Sequence, residues 1–157
     1  MKWVFFTGFV ILFLIRPSFA ATADSVKIHP LQPQAESVSI YEISFVTTEE
    51  LQPKAQIVVI FPAEFDLSKV KIANSFTING GFNVEVQGNR VVLKRTGQGD
   101  TIPAGKKVEV LFANVKNPPD RSYSVEVGIV NENNINTQFK KLNVLIEPKR
   151  KVIPVKD

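Results

Sequence analysis

Tyr123-Ser124-Val125-Glu126-Val127-Gly128-Ile129 alternates large apolar residues with small or polar ones at every step. A β-strand turns successive side chains to opposite faces. Tyr123, Val125, Val127 and Ile129 therefore share one face, and Ser124, Glu126 and Gly128 share the other. On a helix the same four apolar residues would fall at roughly 200° steps and form no single stripe.

The same period recurs on either side. Towards the C-terminus, Leu142, Val144 and Ile146 alternate with Asn143, Leu145 and Glu147. Towards the N-terminus, Val108, Val110 and Phe112 alternate with Glu109, Leu111 and Ala113, and Phe82, Val84 and Val86 with Asn83, Glu85 and Gln87. Tyr41, Ile43 and Phe45 alternate with Glu42, Ser44 and Val46. Ile57, Val59 and Phe61 alternate with Val58 and Ile60, which are themselves apolar, so this strand is expected to be covered on both faces. The Val, Ile and Phe content fits a pleated, half-buried surface.

Turn residues punctuate these runs. Gly88-Asn89 sits between two short apolar runs as a two-residue hairpin connection. Pro103-Ala104-Gly105 turns the chain before the strand at Lys107, with Gly105 expected at positive φ. Asn117-Pro118-Pro119-Asp120 forms a stiff connection before Ser122, suited to a crossing between sheets. Helix signals are scarce. Ala63 to Val70 has room for one turn, with Asp66 or Ser68 as cap, but Pro62 and the neighbouring strands leave little space. Seven to nine short antiparallel strands at this spacing predict an all-β, immunoglobulin-like β-sandwich.

Five segments in this order resemble a known family. They are Ser39-Ile40-Tyr41-Glu42-Ile43-Ser44-Phe45, Ile57-Val58-Val59-Ile60-Phe61-Pro62, Ile102-Pro103-Ala104-Gly105, Val115-Lys116-Asn117-Pro118-Pro119 and Tyr123-Ser124-Val125-Glu126-Val127. The order is similar to that of Ig-like β-sandwich modules in bacterial and archaeal cell-surface proteins, including adhesin-type and S-layer-associated chains. The resemblance extends over Val38 to Val130 and implies no catalytic residue. Within it, Tyr41 and Tyr123 fall on inward registers and are expected in the core, their hydroxyls bonded at its rim.

The chain has 157 residues, with 19 Lys and Arg, 15 Asp and Glu, and no cysteine. Lys2 followed by the apolar run Trp3–Ile15 and the exit Ser18-Phe19-Ala20 reads as an export signal over residues 1–20. As a helix that run would measure about 20 Å, short of the roughly 30 Å hydrocarbon core. Cleavage is expected after Ala20, or after Ala23 at the Ala21-Thr22-Ala23 site. Removing Lys2 and Arg16 with the signal takes the net charge from +4 to +2, which is no nucleic-acid footprint. Absent cysteine excludes disulfides and thiolate metal sites. No Asn-x-Ser/Thr sequon occurs either: Asn74 and Asn136 both fail the pattern. Both absences favour a prokaryotic envelope protein over a eukaryotic secreted one. Beyond the signal, residues 21–34 with Pro30 and Pro33 read as a lead-in or edge strand, 35–147 as the sandwich domain and 148–157 as a basic tail.

Chemistry is hard to place. His29 is the only histidine and has no acidic neighbour in sequence, so neither a triad nor a two-histidine metal site can be assembled from it. Glu64 and Asp66 form the best small carboxylate cluster, without calcium-loop spacing. Gly97-Gln98-Gly99-Asp100 is half a glycine-rich loop with no helix after it to cradle a phosphate. Phe65, Phe76 and Phe139 are the aromatics expected to be available for exposure, though Phe lacks the polar handle of Tyr or Trp.

The expected function is an exported, non-enzymatic module with a structural or protein-interaction role in the cell envelope. It needs no cofactor, and its partner is a cell-envelope protein or a surface polymer, not a nucleic acid. A carbohydrate-binding module is the alternative. The candidate interaction residues lie in the tail: Lys149, Arg150, Lys151, Val152, Ile153 and Val155. They combine positive charge with apolar side chains able to add to a neighbouring sheet or touch an anionic polymer.

Overall fold

The computed structural model describes residues 24–132 and 138–150. Residues 1–20, expected from the sequence to be an export signal, and the tail from Lys151 onward lie outside the described residues. Nine strands form two antiparallel sheets among the described residues: β1 (Asp24–Pro30), β2 (Val38–Val46), β3 (Gln56–Ile60), β4 (Ala73–Asn74), β5 (Phe82–Gln87), β6 (Arg90–Arg95), β7 (Lys107–Lys116), β8 (Ser122–Val130) and β9 (Phe139–Leu145).

One sheet has the order β1-β2-β7-β4, and the other β5-β6-β3-β8-β9. The first order and the β3-β8-β9 part of the second match the two layers of an immunoglobulin-type sandwich. The β5–β6 hairpin is inserted in the chain between β4 and β7, yet it extends the second sheet beyond β3. Gly88-Asn89 closes that hairpin, as its sequence predicts. The crossing from β7 to β8 through Pro118 and Pro119 carries the chain from one sheet to the other.

The alternating residues meet between the layers. Tyr41, Ile43, Phe45, Val108, Val110 and Phe112 face inward from one sheet, and Ile57, Val59, Val91, Leu93, Val125 and Val127 from the other, all buried. Val58, on the opposite face of β3, is buried as well, while Gln56 and Ile60 on that face are half-buried. At one end the core is aromatic. The Tyr41 and Phe61 rings meet edge to face at 5.5 Å, Phe61 and Phe65 lie 4.9 Å apart, and Phe65 meets Tyr123 edge to face at 5.2 Å.

Both tyrosine hydroxyls are satisfied. Tyr123 donates to the Pro119 carbonyl at 2.9 Å, four residues back, and Tyr41 donates to Asn117 Oδ1 at 2.7 Å. Phe65 departs from expectation: it is buried, not exposed. Ala63–Val70 forms two tight turns and no helix, with Phe65 N–H bonding to Pro62 O and Val70 N–H to Leu67 O. Those turns drop Phe65, Leu67 and Val70 into the aromatic end of the core. Burial of three apolar side chains outweighs the one backbone bond a helical turn would offer.

Two glycines do conformational work. Gly105 adopts φ +77°, as the turn before β7 requires. Gly80 and Gly99 cross so closely that a Cβ on Gly80 would stand 2.3 Å from Gly99 N. The Gly97–Asp100 segment is thus a loop-crossing device, fixed by Asp100 N–H to Asn79 Oδ1 at 2.8 Å.

Candidate interaction surface

The outer face of the four-stranded sheet is polar at one end. Lys27, His29, Glu42, Ser44, Lys107 and Glu109 occupy most of its outward positions there, with half-buried Val46 and Leu111 among them, and Lys107 pairs with Glu109 at 2.6 Å. The other end differs. Leu31, Ile40, Ala113 and Ile72 lie in one row across the sheet, since Leu31 N–H bonds to Ile40 O at 2.8 Å and Ala113 N–H to Ile72 O at 3.0 Å. Val38 sits beside this row on β2, 56% exposed, and Ile72 at its far side is 62% exposed. Leu31 and Ile40 are exposed too. Isolated surface apolar residues need no explanation, but a contiguous row of apolar side chains at one end of a largely polar face does.

A bulge holds this row in place. Ser39 pairs with Val115 but Tyr41 with Phe112, so β7 carries one extra residue opposite Ile40. Asn114 absorbs it at φ +70°. Asn is among the few side chains that tolerate that conformation.

Beneath the row, Asn117 ties the β1–β2 connection to the core. Buried, it donates from Nδ2 to Gln32 O at 2.7 Å and to Gln34 O at 3.0 Å while Oδ1 accepts from Tyr41. Its own N–H bonds to Ser37 O at 2.9 Å. The connection then accepts the chain's C-terminal stretch. Glu147 makes a parallel bridge with Gln34, donating to Pro33 O and accepting from Ala35 N–H, both at 2.8 Å.

Of the tail residues singled out in the sequence, Lys149 and Arg150 are described. Lys149 Nζ meets Glu36 Oε2 at 2.8 Å, and this bond, with the charge behind it, holds the Glu36 carboxyl below its ordinary range. Arg150 is exposed. Lys151, Val152, Ile153 and Val155 lie outside the described residues.

The carboxylates Glu36, Glu64 and Asp66 share the lining of an open groove with Lys116, Asn117, Pro118 and Pro119. Glu64 is paired with Arg121, and Asp66 accepts from Ser68 N–H at 2.9 Å; the Ser68 hydroxyl first and this backbone N–H second lower its carboxyl. No group of three or more His, Asp or Glu side chains is gathered at metal-binding distances among the described residues. His29 is an exposed residue opposite Glu42 on β1. Phe76 projects from the loop after β4, 89% exposed. No helix among the described residues is long and apolar enough to cross a membrane.

The apolar row was missed by the sequence reading, which followed the inward phase of each strand. Its signal was present on β2: Val38 and Ile40 stand on the phase that Glu42 and Ser44 keep polar.

No family model and no curated protein matches this sequence. Solved structures do share its architecture. The N-terminal domain of a Streptococcus gordonii adhesin is 11% identical, with a TM-score of 0.52, over 80% of this chain and 33% of that one. This chain thus spans about a third of the adhesin structure. A cohesin module from a Clostridium perfringens family 33 glycoside hydrolase is 13% identical, with a TM-score of 0.49, over 83% of this chain and 97% of that module. BslA, a bacterial hydrophobin, is 12% identical, with a TM-score of 0.48, over 83% and 99% of the two chains. Of these three only the adhesin domain is similar enough to bear on the fold, which is an Ig-like β-sandwich.

Proposed function

We propose that this chain is an exported, non-enzymatic β-sandwich module that binds a protein of the cell envelope through the apolar end of its four-stranded sheet. The observation that carries this reading is the row Leu31, Ile40, Ala113 and Ile72 with Val38 beside it, on a face whose other outward positions are polar except for the half-buried Val46 and Leu111. Covering apolar surface of this kind contributes roughly 25 cal/mol per Å², and a branched side chain at the centre of a contact contributes most. The frame beneath is stiff, because the Asn117 hub and the bulge at Asn114 fix the row on a sheet and not on a loop. The likeness to an adhesin domain and the signal-like residues 1–20 support a surface location.

The test is co-purification from the native host's envelope. Ile40→Asp with Ile72→Asp is expected to leave the unfolding free energy within about 1 kcal/mol of the parent, since both positions are exposed. It should abolish recovery of the envelope partner. Full recovery with the doubly charged face would refute the assignment.

A carbohydrate-binding reading has one observation in its favour, the exposed ring of Phe76. Both tyrosines are interior. Saturable binding on a glycan array, lost with Phe76→Ala, would shift the function to that reading.

A further inference from the structure

Among the described residues the two sheets end in four strands, β1 and β4 in one, β5 and β9 in the other. The outer backbone groups of such a strand are a template for another chain unless the edge is blunted. Three of these edges are blunted. β1 ends in Pro30 and has an irregular register between Asp24 and Lys27, with Ser25 at φ +56°. β9 carries Lys140 and Lys141 and shares an open groove with β1, lined by Val26, Ile28 and Leu142. β4 has two residues, and beyond it the N–H and C=O of Glu109 on β7 are taken by the hydroxyls of Thr77 and Ser75. β5 has no such protection. It is Phe82-Asn83-Val84-Glu85-Val86-Gln87, in unbroken register with β6, without proline or lysine.

The pairing with β6 decides which groups of β5 are open. Gln87 stands opposite Arg90 across a two-residue turn, the pair that exchanges bonds in such a hairpin. Bonding pairs recur at every second residue, Glu85 with Val92 and Asn83 with Lys94, and then Thr96 N–H to Gly81 O at 3.3 Å. The N–H and C=O groups of Phe82, Val84 and Val86 point away from β6 and have no hydrogen-bond partner among the described residues. Their side chains lie on the inner face, Phe82 and Val84 half-buried and Val86 exposed.

An antiparallel copy of the same strand fits this edge. Outward-bonding residues must meet outward-bonding residues, so the register moves in steps of two. Centred on Val84, Val84 meets Val84, Phe82 meets Val86 and Asn83 meets Glu85. All three open residues of each copy are then used, in three pairs of two backbone bonds. Phe82 with Val86 is an aromatic and β-branched pair, a favourable cross-strand combination. One step towards the turn sets Glu85 against Glu85, and one step away leaves Val86 without a strand partner. Charge favours the central register too. Asn83 has Lys94 as its outer-face neighbour on β6, so Glu85 of one copy comes into line with Lys94 of the other, about 10 Å away across two strand spacings.

We propose that two copies of this chain pair antiparallel through β5, joining their five-stranded sheets into one continuous sheet about a two-fold axis at Val84. The contact lies in the sheet opposite the apolar row, so the row stays open and its assignment does not depend on this one.

The test is amide exchange and sedimentation of the exported chain alone, over a wide range of concentration. In dilute protein the Asn83, Glu85 and Gln87 amides should be protected by β6, and those of Phe82, Val84 and Val86 should exchange several-fold faster. At high concentration the second set should gain protection as the sedimenting mass doubles. Val86→Pro removes an outward N–H and no bond to β6, so it should keep the fold and lose the dimer. The cysteine-free sequence adds a geometric check. Val84→Cys should crosslink to its twin on mild oxidation, because opposed bonding residues have Cα atoms about 5.5 Å apart. Gln87→Cys, about 20 Å from its twin in this register, should not. A monomer at every concentration, a dimer whose Phe82, Val84 and Val86 amides stay unprotected, or equal crosslinking at positions 84 and 87 would overturn the pairing. Edge protection independent of concentration would overturn it as well, by showing the edge filled within one chain. So would protection that appears only with envelope extract, which would make another protein's strand the occupant.

Discussion

Asn117 is the residue on which the apolar end of the sheet depends. One buried side chain accepts from Tyr41 and donates to two carbonyls of the β1–β2 connection. Asn117→Ala should lower the unfolding free energy by about 3 kcal/mol, and Tyr41→Phe by about 1–2 kcal/mol, because each leaves buried polar groups without partners. Urea titrations of the two single variants and the double would also show coupling between them. Tyr41 gives a pH signature. Burial pushes its phenol above the ordinary tyrosine range. The unfolded chain then ionises first, so the contribution is full below about pH 10 and is lost as pH rises above it, by up to roughly 1.4 kcal/mol per unit. In a Tyr123→Phe chain, phenolate absorbance should appear only together with unfolding. Phenolate formation in the folded protein would contradict this. Tyr41 as a core residue was legible from its place in an alternating strand. Asn117 was not, because its partners stand about 80 residues away and no local period marks such a hub.

Strands were legible for a related reason. Alternation is a local property, and β2, β7 and β8 keep it through their inward positions. What alternation cannot report is an extra residue in one partner. The β7 bulge looks like continuous strand in sequence, and only the pairing of Ser39 with Val115 and Tyr41 with Phe112 exposes it. Asn114→Val should destabilise by about 1–2 kcal/mol, since a branched side chain at positive φ is strained, whereas Asn114→Gly should be nearly neutral. Thermal melts of the pair separate backbone strain from lost side-chain contacts: equal losses would place the cost in the side chain. The Ala63–Val70 segment makes the converse point. Its spacing admits a helical turn, and tertiary burial of Phe65, Leu67 and Val70 overrides it. Gly80→Ala should cost more than about 2 kcal/mol, because the new methyl meets backbone at the Gly99 crossing and not a movable side chain. A neutral result in denaturant titration would mean that the two loops separate in solution.

At the scale of the molecule, two layers enclose an apolar core and leave one outer face unequal along its length. The layering was legible from the strand count and the resemblance together. The row was not, since Leu31, Ile40, Ala113 and Ile72 are neighbours only after β1, β2, β7 and β4 are set side by side. The proposed export has a direct check: the exported protein should begin at Ala21 or Asp24, and an intact Met1 in its mass spectrum would contradict cleavage. The proposed function depends on which surface meets another protein. The most direct measurement is site-specific photocrosslinking in the native host, with the crosslinker at position 72 or, on the polar end of the same face, at position 44. The account predicts a discrete adduct with one envelope protein from position 72, none from position 44, and loss of the adduct when Ile40→Asp is added. Equal adducts from both positions, or none from position 72, would contradict it.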